Sequence, residues 1–118
     1  MIISNDIKLD FKDVLILPKR SKLSSRSQVV LERHYKFINS KREWTGVPIM
    51  AANMDGVGTI GMAEALYRHK MFTCLVKSYD ETNYNDVVDK IGWNSFAVST
   101  GTNEKDLQLL HHILSAYP

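Results

Sequence analysis

The stretch VPIMAANMDGVGTIGMAEALYRH, residues 47–69, decides how this chain is read. Val47–Ala51 is a short apolar run with the length and composition of a buried strand. From Gly58 to His69 the pattern changes: Ile60, Ala63, Leu66 and Tyr67 recur at spacings of three and four, the period of an amphipathic helix. Arg68, His69 and Lys70 gather at its end, where cations suit the helix dipole. The stretch Ala51–Gly61, at the passage from strand to helix, holds an amide, a thioether, a carboxylate and three glycines.

Reading outward toward the C-terminus, Met71–Val76 is a continuous apolar run suited to a strand covered on both faces. Asp80 is placed to cap a helix from about Glu81 to Ile91, and Gly92 to end it. Ser95–Ser99 reads as a third short strand. Asn103 with Asp106 resembles a capping box, and Leu107, Leu110, Ile113 and Leu114 form an apolar stripe beyond it. Strand–helix alternation with short connections predicts an α/β fold with a parallel sheet and crossover helices. In the other direction, Phe11–Pro18 and Ser27–Ile38 read as extended, and Asn39–Gly46 as a polar turn that Gly46 stops. The expected division is therefore residues 1–46, an N-terminal segment and hairpin, followed by residues 47–118, three β/α units.

Composition narrows the function classes. The 118 residues, 44% hydrophobic and 24% charged, suit one ordinary globular domain. The longest uncharged run around the loop, Trp44–Met54, is far short of the roughly 20 residues a membrane helix needs. MIISNDIK lacks a basic region followed by an apolar one, so no secretory signal is expected and the cytoplasm is the default. The single cysteine, Cys74, sits inside FTCLV and reads as a small core residue. His34, His69, His111 and His112 share no zinc-like spacing with other ligands, so no metal site is expected. Residues 1–46 hold ten Lys/Arg against five Asp/Glu, and residues 47–118 five against eight. The basic piece KRSKLSSR, Lys19–Arg26, is open to three readings: a nucleic-acid arm, a phosphate-contacting loop or a solvated linker. Its lack of aromatic residues argues against single-strand stacking.

Gly56, Gly58 and Gly61 spell G-x-G-x-x-G, the dinucleotide fingerprint of a Rossmann-type domain. The AAN and MD residues lengthen the turn beyond that pattern. Lys77 and Ser78 stand where an acid should meet the ribose. The second reading puts the loop at the carboxyl end of the first strand of a β/α barrel, the face on which such barrels assemble their sites. There Asn53 offers donor and acceptor, Met54 a polarizable surface for a flat ring, and Asp55 an acceptor for N–H groups; that set suits a purine.

The chain resembles the N-terminal third of the GMP reductases of the IMP dehydrogenase/GMP reductase family. The resemblance rests on LDFKDVLILPKRS (residues 9–21), SSRS (24–27), LERHYKF (31–37), GVPIMAANMD (46–55), VGT (57–59), MFT (71–73) and AVSTGT (97–102). It implies a partial (β/α)8 TIM barrel, an N-terminal hairpin plus the first three β/α units of an NADPH-dependent oxidoreductase. That family converts GMP into IMP and ammonia, as a cytoplasmic homotetramer, through a cysteine on a later loop ordered by a monovalent cation such as potassium. Carried over by position, Ser25 and Arg26 match contacts to a neighbouring subunit's NADPH, Lys77 a cofactor-contacting lysine, and Met54 a residue near the purine. Gly56 replaces the family's usual threonine and Ser78 its usual histidine. The resemblance puts the catalytic cysteine and the cation ligands beyond Pro118, so no catalytic or metal residue is expected here. The chain alone is expected to be inactive, completed by a homo-oligomer or a complementing chain, with neither nucleic acid nor membrane as partner. The alternatives are a non-catalytic binding module on full-length reductase subunits and an IMP dehydrogenase-like fragment.

Overall fold

The computed structural model describes residues 5–116; Met1–Ser4, where MIISNDIK begins, and Tyr117–Pro118 lie outside the described residues. Strands β1 (Arg33–Lys36) and β2 (Glu43–Gly46) form an antiparallel hairpin, with Arg33 opposite Gly46 and Lys36 opposite Glu43. The rest alternates: β3 (Met50–Ala51), α1 (Ile60–Tyr67), β4 (Phe72–Cys74), α2 (Glu81–Ile91), β5 (Phe96–Ala97) and α3 (Glu104–Ala116). β3, β4 and β5 pair in that order and in parallel, so the described residues form a mixed α/β fold with two small sheets and no closed barrel.

Local chemistry explains the helix ends. The Thr59 hydroxyl accepts from the Met62 amide at 3.1 Å and starts α1. Asp80 and Asn83 exchange reciprocal side-chain bonds of 3.1 Å, a capping box that starts α2, and Gly92, at φ +68°, ends it. Asn103 does the same for α3, accepting from the Asp106 amide at 2.9 Å.

The helices cover one face of the parallel sheet. Ala63, Leu75, Tyr84, Val87, Ile91, Phe96 and Ile113 form the core, with Tyr84 stacked on Phe96 at 6.3 Å between ring centroids. Thr73 is also fully buried, and its hydroxyl has no hydrogen-bond partner among the described residues. Lys90 bridges α1 and α2 through Glu64 (2.9 Å) and Asp86 (3.0 Å), and those carboxylates, Glu64 first, raise its pKa. His112 on α3 meets Glu81 on α2 at 2.8 Å. Exposed pairs like these fix orientation more than they add stability.

The other face of the sheet is where expectation and structure part. Register and alternation put Met50, Phe72, Cys74 and Ala97 on it, and no described helix covers them. Val47–Ala51 is therefore not a buried strand: Pro48, Ile49 and Met50 are exposed, and the paired segment shrinks to two residues. The hydrogen bonding starts earlier than the strand, from the Val47 amide to the Lys70 carbonyl (2.8 Å) and the Phe72 amide to the Ile49 carbonyl (3.1 Å), but Pro48 has no N–H to extend it. Likewise, Met71–Val76 is not a strand covered on both faces: the paired segment is Phe72–Cys74, in which Thr73 is fully buried while Phe72 and Cys74 are half-buried, and Leu75 and Val76 are buried beyond it. Cys74 is half-buried on the open side, its sulfur 3.2 Å from Met50 Sδ, and is not a core residue. The hairpin leans toward this side, enclosing with the sheet an apolar hollow of about 230 Å³ lined by Tyr35, Phe37, Trp44, Pro48, Ile49, Met50 and Phe72.

Three more expectations change. Phe11–Asp13 is a 3₁₀ turn capped by Asp10 and no residue of Phe11–Pro18 is in a strand, while Ser27–Ile38 contributes only Arg33–Lys36. Asn39–Gly46 is not all turn, since Glu43–Gly46 has a partner in register and pairs as β2. Of the stripe on α3 only Ile113 is buried. The consequence is visible in bulk: the chain exposes 9962 Å², whereas a self-contained monomer of 13.5 kDa exposes about 6,500 Å².

Candidate functional site

β3, β4 and β5 run parallel, so their carboxyl ends share one rim of the sheet, and the polar residues just beyond each strand meet there. The loop after β3 closes on itself first. The amides of Val57 and Gly58 both donate to the Met54 carbonyl at 2.9 Å, and Gly56 takes φ +76°, a conformation that favours glycine. Gly58 lies against the Cys74 carbonyl, the Ala52 carbonyl and Asn53 Cα, so a side chain there would collide with backbone; its own carbonyl accepts from the Val76 amide at 2.9 Å. The Ile60 amide donates to the Tyr79 hydroxyl at 3.2 Å and the Met62 amide to Thr59. The amides of Val57, Gly58, Thr59, Ile60 and Met62, which a pyrophosphate cradle would draw on, are thus already used within the protein. Gly56 serves a turn and Gly58 a packing contact, so both glycines of the G-x-G pair have a structural reason that needs no dinucleotide.

Asn53 reaches across the rim: its Nδ2 donates to Ser99 Oγ at 3.1 Å, joining the end of β3 to the end of β5 over β4. Met54 and Asp55 project from the same loop and are exposed. Asp55 makes no hydrogen bond or ion pair with a described residue, so its carboxylate is available as an acceptor. Lys77, beyond β4, donates to Asp106 Oδ2 at 2.6 Å, and the same oxygen accepts from Asn103 Nδ2 at 2.7 Å. Beneath them Tyr84 lines the same crevice as Lys77, Ser99 and Asp106. Burial, aided by Tyr79, pushes the Tyr84 hydroxyl's pKa up to about 12, so it stays a neutral phenol at any physiological pH.

Asn53 and Lys77, both read from sequence, therefore occupy one rim, with Met54 and Asp55 on its loop. Ser25 and Arg26 do not join them. Ser25 caps the 3₁₀ turn Arg26–Gln28, its hydroxyl 2.9 Å from that of Ser27, and the polar contacts of Ser24–Gln28 are all local. Arg26 is exposed with no carboxylate partner among the described residues. Sequence reasoning did not assign Ser99 and Asp106 to the site. Ser99 stands just past the third strand as Asn53 does past the first, a positional signal. Asp106 reads from sequence as part of a helix cap and is also the counter-ion of Lys77. Among the described residues no group of three or more His, Cys, Asp or Glu gathers as a metal site, and no helix is long and apolar enough to cross a membrane.

No family model matches the chain. Against individual curated proteins it is 48% identical to a protein of Vibrio campbellii named GMP reductase, 47% to one of Bos taurus named GMP reductase 2, and 45% to one of Homo sapiens named GMP reductase 1. Each match covers 98% of this chain and 34% of the relative, so the chain spans about a third of the length of the curated relatives it matches.

Proposed function

Since this chain is related to the GMP reductases over nearly its whole length, we propose that it forms the N-terminal part of a reductase of that type, which takes GMP to IMP and ammonia with NADPH as reductant. The observation that carries this reading is identity of 45–48% sustained across 98% of the chain. In this reading β3–α1, β4–α2 and β5–α3 are the first three units of a (β/α)8 barrel and the hairpin is an appendage to it, with residues 1–46 and 47–118 as the two segments. The apolar face of Met50, Phe72, Cys74 and Ala97, which no described helix covers, supports it, because a parallel sheet is ordinarily covered on both sides.

The residues present suit a nucleotide cofactor and a purine. Arg26, exposed and without a carboxylate partner, fits a phosphate; Lys77 keeps two N–H groups beyond the one given to Asp106. In this reading Ser25 and Arg26, whose contacts among the described residues are local, serve the NADPH held by a neighbouring subunit, as in a homotetramer. NADPH, when bound, supplies the hydride. Met54 then packs on the purine, Asn53 bonds its edge and Asp55 accepts from its N–H groups. Cys74 does not serve as nucleophile: it is part of a strand and its sulfur contacts Met50. The reacting cysteine and the potassium-type cation site belong to polypeptide that completes the barrel, in the cytoplasm.

The test is to mix the chain with GMP and NADPH and follow nicotinamide absorbance, alone and after addition of a polypeptide supplying the remaining units. Turnover is expected only in the mixture, falling at least tenfold with Lys77→Ala. Sustained turnover by the chain alone would overturn the inactivity of the isolated chain. A mixture that assembles but stays silent would overturn the assignment itself.

A further inference from the structure

The ion pair at the end of β4 carries more than a helix cap requires. Asp106 is at the third position of α3, where an N-terminal carboxylate would ordinarily face water, yet its side chain is only 16% exposed and its Oδ2 takes two donors, Lys77 Nζ at 2.6 Å and Asn103 Nδ2 at 2.7 Å. The backbone makes room for this. A side chain on Gly101 would overlap Asp106 Oδ2 and come within 2.9 Å of Lys77 Nζ, and the Thr100 hydroxyl donates to the Asp106 carbonyl at 3.2 Å. The pair is closed from behind and open in front, because the Lys77 side chain is 55% exposed.

The charge count on this rim follows. Asn53 and Ser99 are neutral and bonded to each other, Lys77 is cancelled by Asp106, and Asp55 adds a negative charge. A phosphate gains little from such a surface, since the field of the ammonium is offset 2.6 Å away. An uncharged carbonyl or ring nitrogen still gains a directed N–H bond.

We propose that Asp106 is the positioning residue for Lys77: it fixes and neutralises the ammonium so that this part of the rim binds an uncharged hydrogen-bond acceptor rather than a phosphate. The inference rests on the reading of Lys77 as a cofactor-contacting residue. It divides the labour within that reading, leaving phosphate to the basic segment Lys19–Arg26 and the uncharged portion of the ligand to Lys77.

The experiment is competitive acylation of lysines on the full chain, mapped by mass spectrometry, with exposed Lys12 as internal reference. It is run with the parent, Asp106→Asn and Asp106→Ala, each with and without inorganic pyrophosphate or NADPH. Asp106→Asn removes the charge while keeping one carbonyl oxygen that can accept from both Asn103 and Lys77, and circular dichroism checks that it folds. Expected are a several-fold faster acylation of Lys77 relative to Lys12 in Asp106→Asn, protection by pyrophosphate in that variant, and no protection by pyrophosphate in the parent. Equal Lys77 rates in parent and variant, or pyrophosphate protection in the parent, would overturn the proposal; the parent measurement stands even where a variant fails to fold. The NADPH arm tests the underlying reading separately. If NADPH leaves parental Lys77 unprotected while the Asp106 effects hold, the cofactor reading fails and the positioning claim survives. If NADPH protects but the Asp106 effects are missing, the reverse is true.

Discussion

Residues 5–32 and residues 47–116 are both rich in apolar side chains, but only the second stretch buries them. Leu75, Tyr84, Val87 and Ile113 are all but inaccessible, whereas Phe11 is 94% exposed and Leu15 98%. The difference lies in where the partner is. In the β/α units each apolar stripe on a helix faces a strand a few residues away in the chain, so the sequence supplies both surfaces of the contact. Phe11–Leu17 is a run with no complementary face among the described residues. Burial is favourable without being directional, so a run of this kind states that a surface is needed without naming it.

The comparison breaks most visibly if one core side chain is removed. Tyr84→Ala should cost about 3–5 kcal/mol, as large aromatic truncations do, enough to unfold most of a marginal chain. Leu15→Ala should stay within about 0.5 kcal/mol. Urea midpoints of the two variants measure this, and similar shifts would mean the two regions do not differ in packing.

Alkali offers a second test without mutation. The pKa of the buried Tyr84 is raised from 10.0 to about 12, so its contribution is present in full below pH 10 and is lost as pH rises toward 12. In that interval the unfolded chain releases the phenolic proton and the native chain does not. Stability should therefore fall by about 2–3 kcal/mol between pH 10 and 12, read from urea melts at fixed ionic strength. Tyr84→Phe should remove most of that slope.

The junction between the regions should respond less. Gly46 closes the hairpin against the Lys70 carbonyl and the Trp44 ring, with no room for a methyl group. Gly46→Ala should cost about 1–3 kcal/mol, typical of overpacking, and weaken hairpin amide protection more than that of α2. Asp80→Ala, which removes a cap inside the packed region, should cost about 1 kcal/mol, and hydrogen exchange should show the loss concentrated in the first turn of α2.

What the sequence made legible follows the range of the interactions. The ends of α2 were readable to the residue because Asp80, Asn83 and Gly92 act on their own neighbours. Strands came out too long, Ser95–Ser99 against Phe96–Ala97, because pairing depends on a partner's register and not on the strand's composition. The extended reading of Ser27–Ile38 is too long for the same reason, since only the four residues opposite β2 pair. Of the site, the shared rim of Asn53 and Lys77 was readable from their positions after strands. The bonds that define it, Asn53 to Ser99 and Lys77 to Asp106, span 46 and 29 residues and are products of the tertiary fold.

The smallest expected effect bears most directly on the unburied region. Leu15→Ser with Ile16→Ser replaces two side chains that face water in the folded chain and face water again when it unfolds, so the difference between the states barely changes. Stability should move by less than about 0.5 kcal/mol. Self-association should change far more, because a contiguous exposed apolar run recruits other surfaces and two hydroxyls interrupt it. Sedimentation velocity across a concentration series should show the double variant staying monomeric at concentrations where the parent does not. A loss of more than about 1 kcal/mol would instead show that Leu15 and Ile16 pack against the rest of the chain in solution. The contrast between the two regions would then be smaller than their exposures state, and residues 5–32 would dock on the same core as residues 47–116.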